Sequence, residues 1–278
     1  MSGGDPRLTL ARPDLAATAL EGLVPAARYA PTRALQLRRP VAGLHRAPDA
    51  GSERLDELLF GELFDALDET DGFVWGQSRR DGYVGFVAAE ALAAVGPAPT
   101  HRVGALRTYA FAEPSIKTRA YGPYSLNALV HVEEEAGRFA RAGEVWFWRE
   151  HLVPIGVFER DPAGVAERFL GAPYLWGGRT SVGLDCSGLA QQALYACGHA
   201  CPRDTDQQAA LGREVAPEAL GRGDLVCWKG HIGMMLDGER LLHANAHHMA
   251  TAIEPLAEAV ARIEAGGYGP PTAYRRQP

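Results

Sequence analysis

The stretch Asp185-Cys186-Ser187-Gly188, followed by LAQQALYACG (189–198), decides the fold. It comes directly after a glycine-rich run, YLWGGRTSVGL (174–184). A loop that ends in Asp and is followed by an apolar-patterned segment reads as a loop feeding a helix, with Asp185 a natural cap and Gly198 the stop. Leu189, Ala193 and Leu194 give that helix an apolar stripe. Cys186 then falls in the first helical turn. Unpaired N–H groups and the helix dipole there favour a thiolate and can hold an oxyanion. The alternative is an unreactive buried thiol, since free cysteine is commonly buried.

Working outward, three strands are predicted after the helix: DLVCW (224–228), HIGMML (231–236) and RLLHAN (240–245). A hairpin turning at Asp237–Gly238 sets His243 beside the strand of His231. Alternation places His231 and Gly233 on one face and Ile232 and Met234 on the other. His231 then suits a general base toward the thiol, and His243 suits the group that orients it. A satisfied surface histidine is the competing role for His231, and His247 and His248 compete with His243. Metal binding by these histidines is the minority reading, because no acidic ligand falls in a recognised zinc pattern; Cys197, His199 and Cys201 lack a second ligand pair. No cofactor or metal is expected. The order is α+β and papain-like: a helix bearing cysteine, then antiparallel strands bearing histidine. Ahead of it, AGVAERFLG (163–171) reads as a short helix sharing Val165, Phe169 and Leu170 on one face. DTDQQAALG (204–212) reads as another, and TAIEPLAEAVARI (251–263) as a strand running into a helix.

Upstream, the texture changes. Residues 1–32 form an extension with a short helix expected after Pro13, capped by Asp14. Residues 33–97 and 98–158 read as two small SH3-like β-barrels; the first has D-G turns at Asp71–Gly72 and Asp81–Gly82. Residues 159–278 form the cysteine-bearing domain. The chain has 278 residues, 28 basic and 34 acidic side chains and a formal charge of -6, so its global charge gives no nucleic-acid footprint. All four cysteines follow residue 185, unlike a disulfide framework. Without a signal-like N-terminus or a long apolar run, the expected location is the cytoplasm and no membrane partner is expected. Oligomeric state is not legible.

GAPYLWGG, LDCSGLAQ, PRDTDQQ, GDLVCWKGHIGMML and LLHAN together resemble the NlpC/P60 family of cell-wall peptidases, over roughly 160–278. The resemblance implies Cys186 as nucleophile, His231 as base and His243 as the orienting third residue. The whole arrangement is similar to γ-D-glutamyl-L-diamino acid endopeptidases with N-terminal SH3-like domains. It implies cleavage before meso-diaminopimelate or lysine in short, free peptidoglycan stem peptides with an unblocked L-alanine. It further implies that Asp185, Ser187 and Thr205 bind the substrate amine end, with Asp204 a further polar group in the same pocket. Thr205 stands where the family often has serine. Tyr83, in DGYVGF, and Glu62, in FGELF, are implied to close that end from the first barrel. For Asp185, simple helix capping is the competing role. The alternatives are a hydrolase remodelling intact wall and a noncatalytic module that binds wall peptides.

Overall fold

The computed structural model describes residues 4–277, and the chain divides into two compact units, up to Ile155 and from Gly156 onward. Residues 1–3 of the expected extension, and Pro278, lie outside the described residues. The second unit thus starts three residues before the expected 158/159 boundary.

In the first unit, strands β1 (Arg33–Leu37), β2 (Val41–His45), β3 (Arg54–Leu59), β4 (Leu63–Thr70), β5 (Phe73–Ser78), β6 (Val84–Ala88) and β7 (Leu92–Ala94) form one sheet, in the order β3-β2-β6-β5-β4-β1-β7. The β4–β5 turn is Asp71–Gly72, both at positive φ (52° and 77°), with Thr70 paired to Phe73. Positive φ at both central residues is what a tight hairpin needs for its twist to match the strands. The sheet's alternating inward residues, including Leu35, Leu37, Leu44, Phe64 and Val87, form a core of their own. A second set of strands follows: β8 (His101–Val103), β9 (Arg107–Phe111), β10 (Ala120–Ser125), β11 (Leu129–Val130), β12 (Glu134–Ala136), β13 (Phe139–Ala142), β14 (Val145–Trp148) and β15 (Leu152–Pro154). It builds a five-stranded and a three-stranded sheet around Val103, Tyr124, Phe147 and Leu152. Leu59, from the first strand set, is buried in this second core.

The N-terminal segment corrects the expected helix. Among its described residues only a 3-10 turn forms, Thr18–Leu20, and Ala16–Ala17 pairs in parallel with Tyr29–Ala30. Asp14 makes an ion pair with Arg12. Tertiary packing outweighs local propensity here. Leu10, Leu15 and Ala17 bury against Trp75 of β5, and the Arg12 guanidinium stacks 4.1 Å over the Trp75 ring.

The second unit contains α1 (Pro162–Glu167), α2 (Cys186–Ala196), α3 (Thr205–Gln208), β16 (Arg213–Glu214), β17 (Leu225–Trp228), β18 (His231–Met235), β19 (Arg240–Asn245), β20 (Ala250–Pro255), α4 (Leu256–Ala265) and β21 (Ala273–Arg276). Its sheet runs β16-β21-β17-β18-β19-β20, with the pairs between β17 and β20 antiparallel. Helix α2 is buried along its whole length, which fits a central helix laid on a sheet better than a surface amphipath. Helix α1 stops at Glu167, so Val165 and Phe169 are buried while Leu170 is exposed, correcting its expected place on the same face. Among the described residues no helix is long and apolar enough to cross a membrane.

Candidate active site

The loop before α2 is tied down by one carboxylate. Asp185 caps the helix through the Gly188 N–H (2.7 Å) and also accepts from the Gly177 N–H (2.8 Å) and the Ser187 hydroxyl (3.1 Å). Arg203 grips both its oxygens, at 3.0 and 2.6 Å, and donates to Ser187 Oγ at 2.6 Å. Arg203 is 1% exposed and Asp185 5%. This fork-on-carboxylate geometry is the strong form of an ion pair, and it neutralises a charge that burial would otherwise make costly. Gly188 has to be glycine: a Cβ there would stand 2.2 Å from the Gly178 carbonyl oxygen.

Cys186 therefore enters the helix in a fixed place, 6% exposed, as a free thiol. Its sulfur lies within hydrogen-bonding reach of two backbone N–H groups, those of Ile232 on β18 and Ser187. Burial pushes the thiol up to about 12, and the Asp185 charge adds to this; the two N–H groups and Arg203 pull the other way without prevailing. The resting sulfur is thus protonated. The neighbouring Cys186 N–H, at the start of the helix, precedes the intrahelical ladder and is available to a developing oxyanion.

The residue before Ile232 on β18 is His231, one of a pair of imidazoles. Met234 pairs with Leu242, so His231 and His243 lie diagonally on one face of the β18–β19 hairpin. His231 Nε2 and His243 Nδ1 are 2.8 Å apart. The hairpin turn is held by Asp237 Oδ1, which accepts from the N–H groups of Glu239 and Arg240. Burial pushes His231 down to about 3, with His243 and Arg262 adding to it. Burial also pushes His243, which is wholly enclosed, down to about 4 against the opposing pull of Glu254. Both rings are therefore neutral at pH 7, and His231 can accept a proton.

The depressed values have a consequence for stability. Below an unfolded histidine value near 6.5, the unfolded chain binds protons that the folded chain refuses. The contribution of both rings is complete above that pH and lost as the pH falls toward 4, at most about 1.4 kcal/mol per pH unit for each ring. Thermal unfolding measured from pH 7.5 to 4.5 should show the melting temperature falling with pH, and a shallower fall for His243→Gln. Equal slopes would show that the ring is not held neutral.

Three residues escaped the sequence reading. Glu254 Oε1 lies 2.6 Å from His243 Nε2, and Arg262 of α4 pairs with the same oxygen. Its signal was the single carboxylate in the strand TAIEP. Tyr174, in YLWGG, lies near enough to Cys186 and Asp185 for their charges to add to the upward push that burial gives its phenol. Arg203 was visible only as part of PRDTDQQ.

The remaining expected residues fall as follows. Thr205 is buried at the first position of α3, and Asp204 is half-buried at its cap position. The helix is anchored to the cysteine loop by Gln208, which donates to the Ser187 carbonyl at 3.0 Å. Asp185 and Ser187, the expected substrate groups, are both held by Arg203. Tyr83 and Glu62 belong to the first unit. The Tyr83 ring packs in the β1–β7 core, and Glu62 is buried, accepting from Arg80 and from the Leu59 N–H (both 2.9 Å). His243, His248 and Glu254 bring three ligand-type atoms within 4.8 Å of one another. A cation there would have to displace Arg262 from Glu254, so the donor set fits hydrogen bonding better than metal binding.

The profile of the NlpC/P60 family matches residues 171–262, and that of the bacterial dipeptidyl-peptidase Sh3 domain matches 44–92. Over 200 residues the chain is 30% identical to the γ-D-glutamyl-L-lysine dipeptidyl-peptidase of Bacillus subtilis, spanning 66% of this chain and 68% of that relative. The chain belongs to the NlpC/P60 family. It is a cysteine peptidase with an NlpC/P60 catalytic domain preceded by SH3-like barrels. Dipeptidyl-peptidase 6 of Lysinibacillus sphaericus is 25% identical over 232 residues, which cover 74% of this chain and 85% of the relative. In fold, the chain is similar to an NlpC/P60 family protein from Bacillus cereus, with a TM-score of 0.75 at 19% identity, over 88% of this chain and 99% of the other.

Proposed function

We propose that this NlpC/P60 peptidase hydrolyses the γ-D-glutamyl-L-diamino acid bond of short peptidoglycan stem peptides with a free N-terminal L-alanine. The observation that carries the chemistry is a buried thiol within reach of the Ile232 N–H on β18, where the preceding residue, His231, is paired with His243 at 2.8 Å. The substrate class is supported by the relative's printed activity, on γ-D-glutamyl-L-lysine, across two thirds of both chains.

In this reading Cys186 is the nucleophile. Its proton passes to His231 as the sulfur attacks the γ-carbonyl carbon of D-glutamate, and the Cys186 N–H stabilises the oxyanion. His231 then gives that proton to the departing amine of the diamino acid. Water, deprotonated by the same ring, hydrolyses the thioester and releases L-Ala-D-Glu. The substrate ammonium meets the outer edge of the Asp185–Arg203 pair and the cap region of α3 at Asp204 and Thr205. Because Asp185 is already paired, the benefit of that ammonium is moderate, and blocking it should cost roughly 10- to 100-fold in kcat/KM.

Purified protein incubated with L-Ala-γ-D-Glu-meso-diaminopimelate, its lysine analogue, their N-acetyl forms and intact sacculi tests this, with mass spectrometry locating the cut. Free peptides should be cut after D-glutamate and acetylated ones slowly. Equal turnover of acetylated peptide would overturn the free-amine requirement. Preferential release of fragments from sacculi would favour a wall-remodelling enzyme.

A further inference from the structure

We infer that Glu254, braced by Arg262, is a positioning residue that sets which nitrogen of each paired imidazole carries a proton, leaving His231 Nδ1 bare for the thiol. This rests on the reading of Cys186 as nucleophile and His231 as its base.

The register supplies the geometry. His243 pairs with Ala252 across β19 and β20, so Glu254, two residues along, lies on the same face as His243. The 2.6 Å contact from Glu254 Oε1 to His243 Nε2 shares its oxygen with the guanidinium of Arg262. Arginine stays charged, so the carboxylate beside it stays ionised and can only accept. Burial opposes that ionisation, but His243 and Arg262 hold the Glu254 carboxyl below its ordinary value. His243 must therefore carry its proton on Nε2. A neutral ring has one N–H, so His243 Nδ1 is an acceptor, and the 2.8 Å contact requires His231 to donate from Nε2. The same count leaves His231 Nδ1 with a lone pair. Each proton assignment follows from the one before, and the first is made by Glu254.

When Cys186 yields its proton to His231 Nδ1, the S–H bond breaks, an N–H bond forms, and the sulfur keeps the electron pair used in attack. No proton needs to travel further. The new imidazolium is steadied through His243 by the carboxylate. Besides each other, the charged and titratable groups acting on the two rings are Glu254 on β20, Arg262 on α4 and His248 in the turn after β19.

The test uses the full chain labelled with 15N-histidine. Nitrogen shifts in the unliganded protein should report Nε2–H on both His231 and His243. Glu254→Gln offers either an amide oxygen or an NH2 to the ring, so His243 should populate both forms. With the free tripeptide, kcat should fall roughly 10- to 100-fold with KM within twofold. Glu254→Asp, keeping the charge, should recover part of the loss, and Arg262→Met should move the acid limb of kcat/KM to higher pH. A proton on His243 Nδ1 in the wild type would overturn the inference, as would wild-type kcat in a folded Glu254→Gln. The nitrogen measurement needs neither substrate nor variant, so it stands apart from whether stem peptides are the substrate.

Discussion

Cys186→Ala should fold normally and hydrolyse nothing measurable. Removing one sulfur at a 6% exposed site subtracts on the order of 1 kcal/mol of packing, within what a folded unit tolerates. The chemical loss is far larger. Without the sulfur no thioester can form, and the remaining groups can only position the peptide and polarise its carbonyl. Hydrolases stripped of their nucleophile keep only a small residue of their acceleration, so a fall of at least ~1,000-fold in kcat is expected. Circular dichroism and thermal melting should overlay those of the wild type, and the variant should still bind the tripeptide. Turnover within tenfold of wild type would show that another group attacks the substrate. Cys227 cannot substitute, because it is wholly buried and pairs with Ile232, on the face of the sheet opposite His231.

Asp185→Ala should be the most damaging substitution for stability. It removes a helix cap, releases Gly177 and takes from the Arg203 guanidinium, 1% exposed, the carboxylate that it grips at both oxygens. Breaking a buried pair from one side costs about 3–5 kcal/mol. For a unit of this size that lowers the melting temperature by roughly 10–20 °C. Asp185→Asn separates the contributions, since the amide oxygen can still cap Gly188 while the charge is gone. It should remain destabilised by more than about 2 kcal/mol, and a second change, Arg203→Leu, should recover part of the loss. If Asp185→Asn melts with the wild type, the ion pair is not what holds the loop.

The reactive core was legible because its signals are local. Asp before Cys186 and Gly198 after Cys197 mark both ends of α2, and the D-G turn between two alternating runs puts His231 and His243 on neighbouring strands. Glu254 was harder, because its meaning depends on the β19–β20 register, which places it beside His243 only once the strands pair. Arg203 lies 18 residues beyond Asp185, and nothing between them encodes the fork that joins them. Edge strand β16 and its neighbour β21 are short and distant in sequence, pairing Arg213 with Arg276, so alternation alone could not match them. The N-terminal arm misled in another way, because Trp75 draws Leu10 and Leu15 onto the barrel at the expense of a helix.

A sulfur that keeps its hydrogen at rest is also a chemically quiet one. Peroxide and simple alkylating agents react with the anion, so the burial that pushes the Cys186 thiol up should slow both on the idle enzyme. Covalent inhibitors would gain little from raw electrophilicity. They would need to dock as the peptide does and let His231 draw off the hydrogen, so that selectivity would come from the shape of the warhead's carrier.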